Sequence, residues 1–312
     1  MSPADKPKPA ALPPAPPAFY VAGPTGVGKS EFAVTLAEEV GGEIVGADAF
    51  QIYAGLPILT AQPSKEQRAR VPHYLVAEIP LSESFDVAEY VRRASARIGE
   101  IRSRGKVPIV VGGTGLYVRS LVQGMADLPN ADPALRTELE AMPLVELNRK
   151  LAELDPAAAA VIDAKNPRRV IRALEVCLLT GKPFSSFRQE WSAVNAAVAG
   201  VVLVRAKEEL RRIIDARVAE MFRYGVVNEV SSAGLMSNTA RQVLGFSEIE
   251  RLLQDEVTEV ACRNAIQTQT RQYAKRQMTW FARETWLRRV VLHHATGQVA
   301  EAAEMVRSWA AR

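Results

Sequence analysis

The chain has 312 residues, of which 48% are apolar and 24% charged, and a formal net charge of +4. That balance fits a soluble protein with a sizeable core, in one large domain or two unequal ones. Two distant cysteines, Cys177 and Cys262, exclude a disulfide framework, and three histidines (His73, His293, His294) exclude a histidine-built zinc site.

In chain order, residues 1–18 hold seven prolines and no apolar run, so a disordered, polyproline-type tail is expected there, with no secretory signal. The first strand is predicted at 18–22. Gly23-Pro24-Thr25-Gly26-Val27-Gly28-Lys29-Ser30 follows, fitting the phosphate-loop pattern G-x-x-x-x-G-K-[ST]. Phe32, Leu36, Ala37 and Val40 then recur at helical spacing. Strand, loop and helix in that order make a phosphate cradle: glycines allow the tight turn and backbone N–H groups point at oxygens. Gly23, Thr25, Gly26, Gly28, Lys29 and Ser30 are the residues expected to bind a di- or triphosphate, with Lys29 as point charge and Ser30 as the ligand of Mg²⁺.

Further strands are predicted at 43–47, 72–77, 107–111 and 199–204, and helices near 29–40, 86–104 and 114–124. Alternation of this kind argues for an α/β fold, a P-loop NTPase-like parallel sheet with covering helices. Asp48 closes the second strand at the carboxyl edge, where ligands sit in such sheets. It reads as a magnesium-holding carboxylate, a general base or a helix N-cap. Gly112-Gly113-Thr114-Gly115 closes the fourth predicted strand, either as a close-approach turn offering the Thr114 hydroxyl or as a capped turn.

Between 130 and 190 strand signals stop. Leu135, Leu139, Leu144, Leu147, Leu151 and Leu154, then Val170, Leu174 and Leu178, suggest an inserted helical subdomain. The expected organisation is therefore a core from 19 to 128, a helical insertion at 129–190, and a return to the core over 191–312. The longest apolar stretch, Val194 to Val204, is too short to cross a bilayer and contains Asn195, so a cytosolic protein without membrane contact is expected. A helix from Lys207 carries Arg211, Arg212 and Arg217, and a short apolar run at 290–292 precedes a last amphipathic helix. Residues 263–289 hold seven positive charges and one negative, a local net of +6, which points to a polyanionic partner. Within them Arg271, Gln272, Tyr273, Lys275, Arg276, Gln277, Trp280 and Phe281 interleave bases with aromatics that either pack in the core or stack on nucleobases.

The chain resembles the tRNA dimethylallyltransferases over roughly residues 18–290. The resemblance rests on the phosphate loop at 23–30, Asp48 with Gln51-Ile52-Tyr53, Thr60 to Pro63, Pro72 to Leu75, and Val111 to Thr114 with Leu116-Tyr117. It continues through Asn166 to Arg169 with Arg172 to Val176, Arg241-Gln242 with Gly245-Phe246, and Gln272 to Gln277 with Thr279-Trp280-Phe281. It implies transfer of a dimethylallyl group from dimethylallyl diphosphate to the exocyclic amine of the adenosine just 3′ of the anticodon. The tRNAs are those reading codons that begin with U, and pyrophosphate leaves. It implies catalytic roles for Asp48 as base, Thr114 beside the reacting centre and Arg217 on the pyrophosphate. Gln51, Arg168, Arg169, Arg271, Lys275 and Arg276 are the expected tRNA-binding residues, Arg276 with the option of turning inward. Relatives commonly carry a lysine where Gln62 stands and an arginine at Ile213. A monomer is expected. A small-molecule kinase using the same loop for ATP, and a tRNA-binding relative without activity, are the alternative readings.

Overall fold

The computed structural model describes residues 12–126, 128–190, 198–292 and 295–311. The chain divides into two compact units, one comprising residues 14–122 and 194–312, the other 1–13 and 123–193.

The larger unit opens with β1 (Phe19–Ala22), α1 (Lys29–Val40), β2 (Gly42–Gly46), α2 (Lys65–Arg70), β3 (His73–Tyr74), α3 (Val87–Ser103), β4 (Val107–Gly112) and α4 (Gly115–Gln123). The strands read as apolar runs because they are buried on both faces, with all four residues of β1 and all five of β2 buried. Strand order is β3-β2-β4-β1-β5-β6, where β5 is Ala199–Val204 and β6 Leu287–Val291, and every pairing is parallel. Phe19 aligns with Ile109 and with Ala199, so β1 is the central strand and its carboxyl end opens between two neighbours. The third strand shrinks from the expected 72–77 to two residues. Leu75 and Ala77 take positive φ, which turns the chain away from the ladder. Phe32, Leu36 and Ala37 of α1 pack under the sheet with Val299, Ala302 and Val306 of the last helix (Ala295–Ala310).

The smaller unit is helical: α5 (Pro133–Glu140), α6 (Leu144–Leu154), α7 (Pro156–Ala159) and α8 (Pro167–Thr180). The leucine spacing closes a core of Leu139, Leu147, Leu151, Val170, Ile171 and Leu174. Asp132 and Asn166 cap α5 and α8, each followed by a proline at the first helical position.

Residues 1–11 of the expected tail lie outside the described residues. From Leu12 onward the tail is held by the fold. Leu12 exchanges both backbone bonds with Met125, the Ala15 N–H donates to Leu121, and Ala18 is fully buried. Cys177 and Cys262 are buried and free. No helix among the described residues is long and apolar enough to cross a membrane.

After β5 the larger unit continues with α9 (Lys207–Arg223), α10 (Val226–Ser231), α11 (Phe246–Leu253) and α12 (Glu259–Phe281), then β6 and α13 (Ala295–Ala310).

Candidate active site

Three turns leave the carboxyl ends of neighbouring strands beside one cavity, which the phosphate loop, Asp48 and, at the end of β4, Val111 and Gly112 line, with Thr114 just outside the lining. The phosphate loop follows β1, Asp48 follows β2, and Gly113-Thr114 follows β4. The cavity, about 370 Å³, is lined by Thr25, Gly26, Gly28, Lys29, Ser30, Asp48, Gln51, Gln62, Arg217 and Tyr273 on its polar side. Leu59, Ile213, Met221, Val243, Leu244 and Ile266 form its apolar side.

In the loop Gly26 and Gly28 have φ of 79° and 103°, conformations that disfavour a side chain. Gly28 sits at the N-cap of α1, which has no side-chain cap, so the first N–H groups of the helix are left for an anion. The Lys29 ammonium donates to the carbonyls of Gly23 (2.9 Å) and Pro24 (2.8 Å), folded over the loop. Burial lowers its pKa to about 8, with Asp48 acting against that shift and Arg217 reinforcing it. Ser30 lines the cavity, and its hydroxyl makes no hydrogen bond among the described residues. Arg217, half-buried on α9, donates to the Thr25 hydroxyl (3.2 Å). Burial pushes its guanidinium pKa down, while the charge of Asp48 opposes the change.

Asp48 ends in a turn. Its Oδ1 accepts the N–H groups of Phe50 (3.0 Å) and Gln51 (3.3 Å), so the capping role foreseen for it is real, although no helix follows. The Thr114 hydroxyl accepts the N–H of Ala49 (3.0 Å) while its own N–H donates to Ala47 (3.2 Å). These two bonds bracket Asp48. Phe50 and Tyr273, ring centres 6.0 Å apart, form an aromatic wall, and burial, then Asp48, raise the pKa of the Tyr273 phenol.

The tRNA-binding expectations divide. Gln51 is tied inward, its amide donating to the carbonyls of Thr60 (3.2 Å) and Ala61 (2.7 Å). Gln62 returns the tie, donating to Gln51 (3.1 Å) and Tyr53 (2.7 Å), so an amide at this position staples two loops. Ile213 packs near Gly26, on the apolar side. Arg271 is not a free cation: it pairs with Asp215 (2.6 Å) and donates to Thr268. Arg276 does not turn inward. It is exposed with its guanidinium 5.7 Å from the centre of the Tyr273 ring, beside exposed Lys275, because α12 buries Ala274 and Gln277 instead. In the smaller unit Arg168 and Arg169 are exposed on the first turn of α8. Trp280 lies under Arg119, and Phe281 is a core residue.

Two contributors are not among the site residues expected from the sequence. Glu229 accepts the N–H groups of Ile58 and Leu59, each at 2.7 Å, and shapes the loop bearing Leu59 to Gln62; burial raises its pKa against the effect of those bonds. Gln277, 5% exposed on α12, accepts the Thr25 N–H (2.8 Å) and donates to the Gly113 carbonyl (2.9 Å). Gln277 stood inside a recognised motif, but its contacts are 252 and 164 residues away in sequence, which no local pattern signals.

A parallel α/β sheet with a phosphate loop at its central strand and a carboxylate across the same cavity defines a phosphate-loop protein of the group-transfer kind. A family model described as IPP transferase matches residues 51–284. The chain is 43% identical over 272 residues to the tRNA dimethylallyltransferase of Akkermansia muciniphila, covering 87% of this chain and 92% of that one. It is 45% identical over 278 residues to tRNA dimethylallyltransferase 1 of Citrifermentans bemidjiense, covering 86% and 91%. The crystal structure of a tRNA isopentenylpyrophosphate transferase from Bacillus halodurans matches with a TM-score of 0.70 at 32% identity, over 95% of this chain and 97% of that one. A eukaryotic dimethylallyltransferase acting on tRNA matches with a TM-score of 0.78 at 27% identity, over 94% and 78%. The chain belongs to the tRNA dimethylallyltransferase family and is a prenyltransferase enzyme; the kinase reading is not favoured.

Proposed function

We propose that the protein transfers the dimethylallyl group of dimethylallyl diphosphate to the exocyclic amine of the adenosine 3′ of the anticodon in tRNAs reading U-initial codons, as a cytosolic monomer. The observation that carries this reading is one cavity holding a phosphate loop, a carboxylate and an apolar wall together. A phosphate loop alone suits phosphoryl transfer; the apolar wall of Leu59, Ile213, Met221 and Ile266 suits a short hydrocarbon attached to a diphosphate.

Lys29 leaves the Gly23 and Pro24 carbonyls for the diphosphate, beside the open N–H groups of α1. The amine lone pair forms the new C–N bond, the C–O electron pair departs with pyrophosphate, and Asp48 takes the amine proton. Lys29 and Arg217 balance the charge that grows on the leaving group, where fixed charges act most strongly. The uncommitted Ser30 hydroxyl at the second position of α1 fits an Mg²⁺ held mainly by diphosphate oxygens and water. Bound there, the ion would add positive charge beside the departing pyrophosphate. Phe50 and Tyr273 offer aromatic surface to a base extruded from the anticodon loop. Lys275 and Arg276 in one unit, and Arg168 and Arg169 in the other, supply cations for the backbone.

The test is pyrophosphate release. Release that requires both tRNA and dimethylallyl diphosphate supports the reading, whereas phosphate transfer from ATP to a small molecule would replace it.

A further inference from the structure

The site has two halves, one around the leaving diphosphate and one around the base, and the Gln277 side chain bonds to both. At the first half the Gln277 Oε1 accepts the Thr25 N–H at 2.8 Å, and Thr25 in turn accepts from Arg217 at 3.2 Å. At the second half Nε2 donates to the Gly113 carbonyl at 2.9 Å, and the next residue, Thr114, brackets Asp48 through Ala47 and Ala49. Donor meets acceptor on both sides, so the amide has one orientation; a flipped amide would face two like groups. A Cβ at Gly113 would lie 2.2 Å from Nε2, so the turn approaches this amide as closely as glycine allows. The bond also holds the Thr25 N–H on Gln277, away from the anion cradle.

We infer that Gln277 is a positioning residue that sets the separation between the diphosphate leaving group and the Asp48 carboxylate. This rests on the roles given above to Asp48 and the phosphate loop. Gln277 is not part of the cavity lining and works through the two turns it bonds. It acts on the alignment of the attacking amine, its base and the breaking bond, where a displacement of about 1 Å costs on the order of 10² in rate.

Gln277→Leu keeps the bulk and removes both bonds, while Gln277→Glu keeps the acceptor for Thr25 and breaks only the bond to Gly113. In the full-length protein, the single-turnover rate at saturating tRNA and dimethylallyl diphosphate should fall about 10²-fold in Gln277→Leu, with both dissociation constants within about threefold of wild type. Gln277→Glu, the more conservative change, should lose at least about tenfold in the same rate and so keeps the question open to test if the leucine variant does not fold. Combined with Asp48→Asn, Gln277→Leu should cost far less than it does alone, because alignment to a missing base no longer matters. Fully multiplicative losses, or weakened diphosphate binding with an unchanged saturated rate, would reduce Gln277 to loop packing. Variants as fast as an active wild type would overturn the inference alone, and a wild type that transfers nothing would overturn the functional reading beneath it.

Discussion

Raising the pH should loosen the grip on the diphosphate through one residue. Lys29 is half-buried and folded over the phosphate loop, with its pKa lowered to about 8, chiefly by burial. A cation with a depressed pKa keeps its charge below that value and loses it as pH rises through it. The free protein should then be about 90% charged at Lys29 near pH 7 and about 10% near pH 9. A bound diphosphate, carrying several negative charges, favours the ammonium, so affinity follows the charged fraction of the free protein. Affinity for an unreactive thio analogue of dimethylallyl diphosphate should drop about tenfold between roughly pH 7 and pH 9, and about tenfold more over the next unit. The diphosphate itself loses no further proton over the upper part of that range, and calorimetric titration at constant ionic strength reads the effect. Lys29→Met should bind more weakly with a flat profile. A flat wild-type profile, or an equal slope in Lys29→Met, would refute the assignment of Lys29 to the anion.

Asp48→Asn should keep the Phe50 and Gln51 bonds through its amide oxygen, hold both substrates, and lose about 10²–10⁴ in single-turnover rate. Replacing exposed Lys275 and Arg276 together by Gln should flatten the salt dependence of tRNA binding by roughly 1.4 units, at about 0.7 per contact, measured by filter binding. Arg271→Gln should leave that slope unchanged and lower the thermal midpoint instead, because its charge is paired with Asp215. Gly113→Ala should force Gln277 from both partners and lower the melting temperature by several degrees, as scanning calorimetry would register.

The central strands and the phosphate loop were legible because burial on both faces leaves uninterrupted apolar runs, as in Phe19–Ala22 and Ala199–Val204. The sixth strand showed only its end. Arg288 and Arg289 point to solvent between buried Leu287 and Val290, which leaves only 290–292 as an apolar run. Those arginines had inflated the basic block, and Arg263, Arg271 and Arg288 prove to be paired with Glu259, Asp215 and Glu301. Charge counting sees composition but not partners. In the site, the residues at strand ends (Asp48, Thr114 and the loop) could be placed because topology brings strand ends together. Gln51, Gln62 and Gln277 could not be understood the same way. An amide has no charge or periodicity to betray it, and what it does depends on backbone atoms that only folding brings near.

Mass spectrometry of nucleosides from tRNA incubated with this protein, dimethylallyl diphosphate and Mg²⁺ is the most direct test of this transfer. One adenosine per susceptible tRNA, adjacent to the anticodon on its 3′ side, should become heavier by a single dimethylallyl group, and this product should be absent with Asp48→Asn. Unchanged adenosine in tRNAs that read U-initial codons, under conditions where the protein binds both substrates, would contradict this reading.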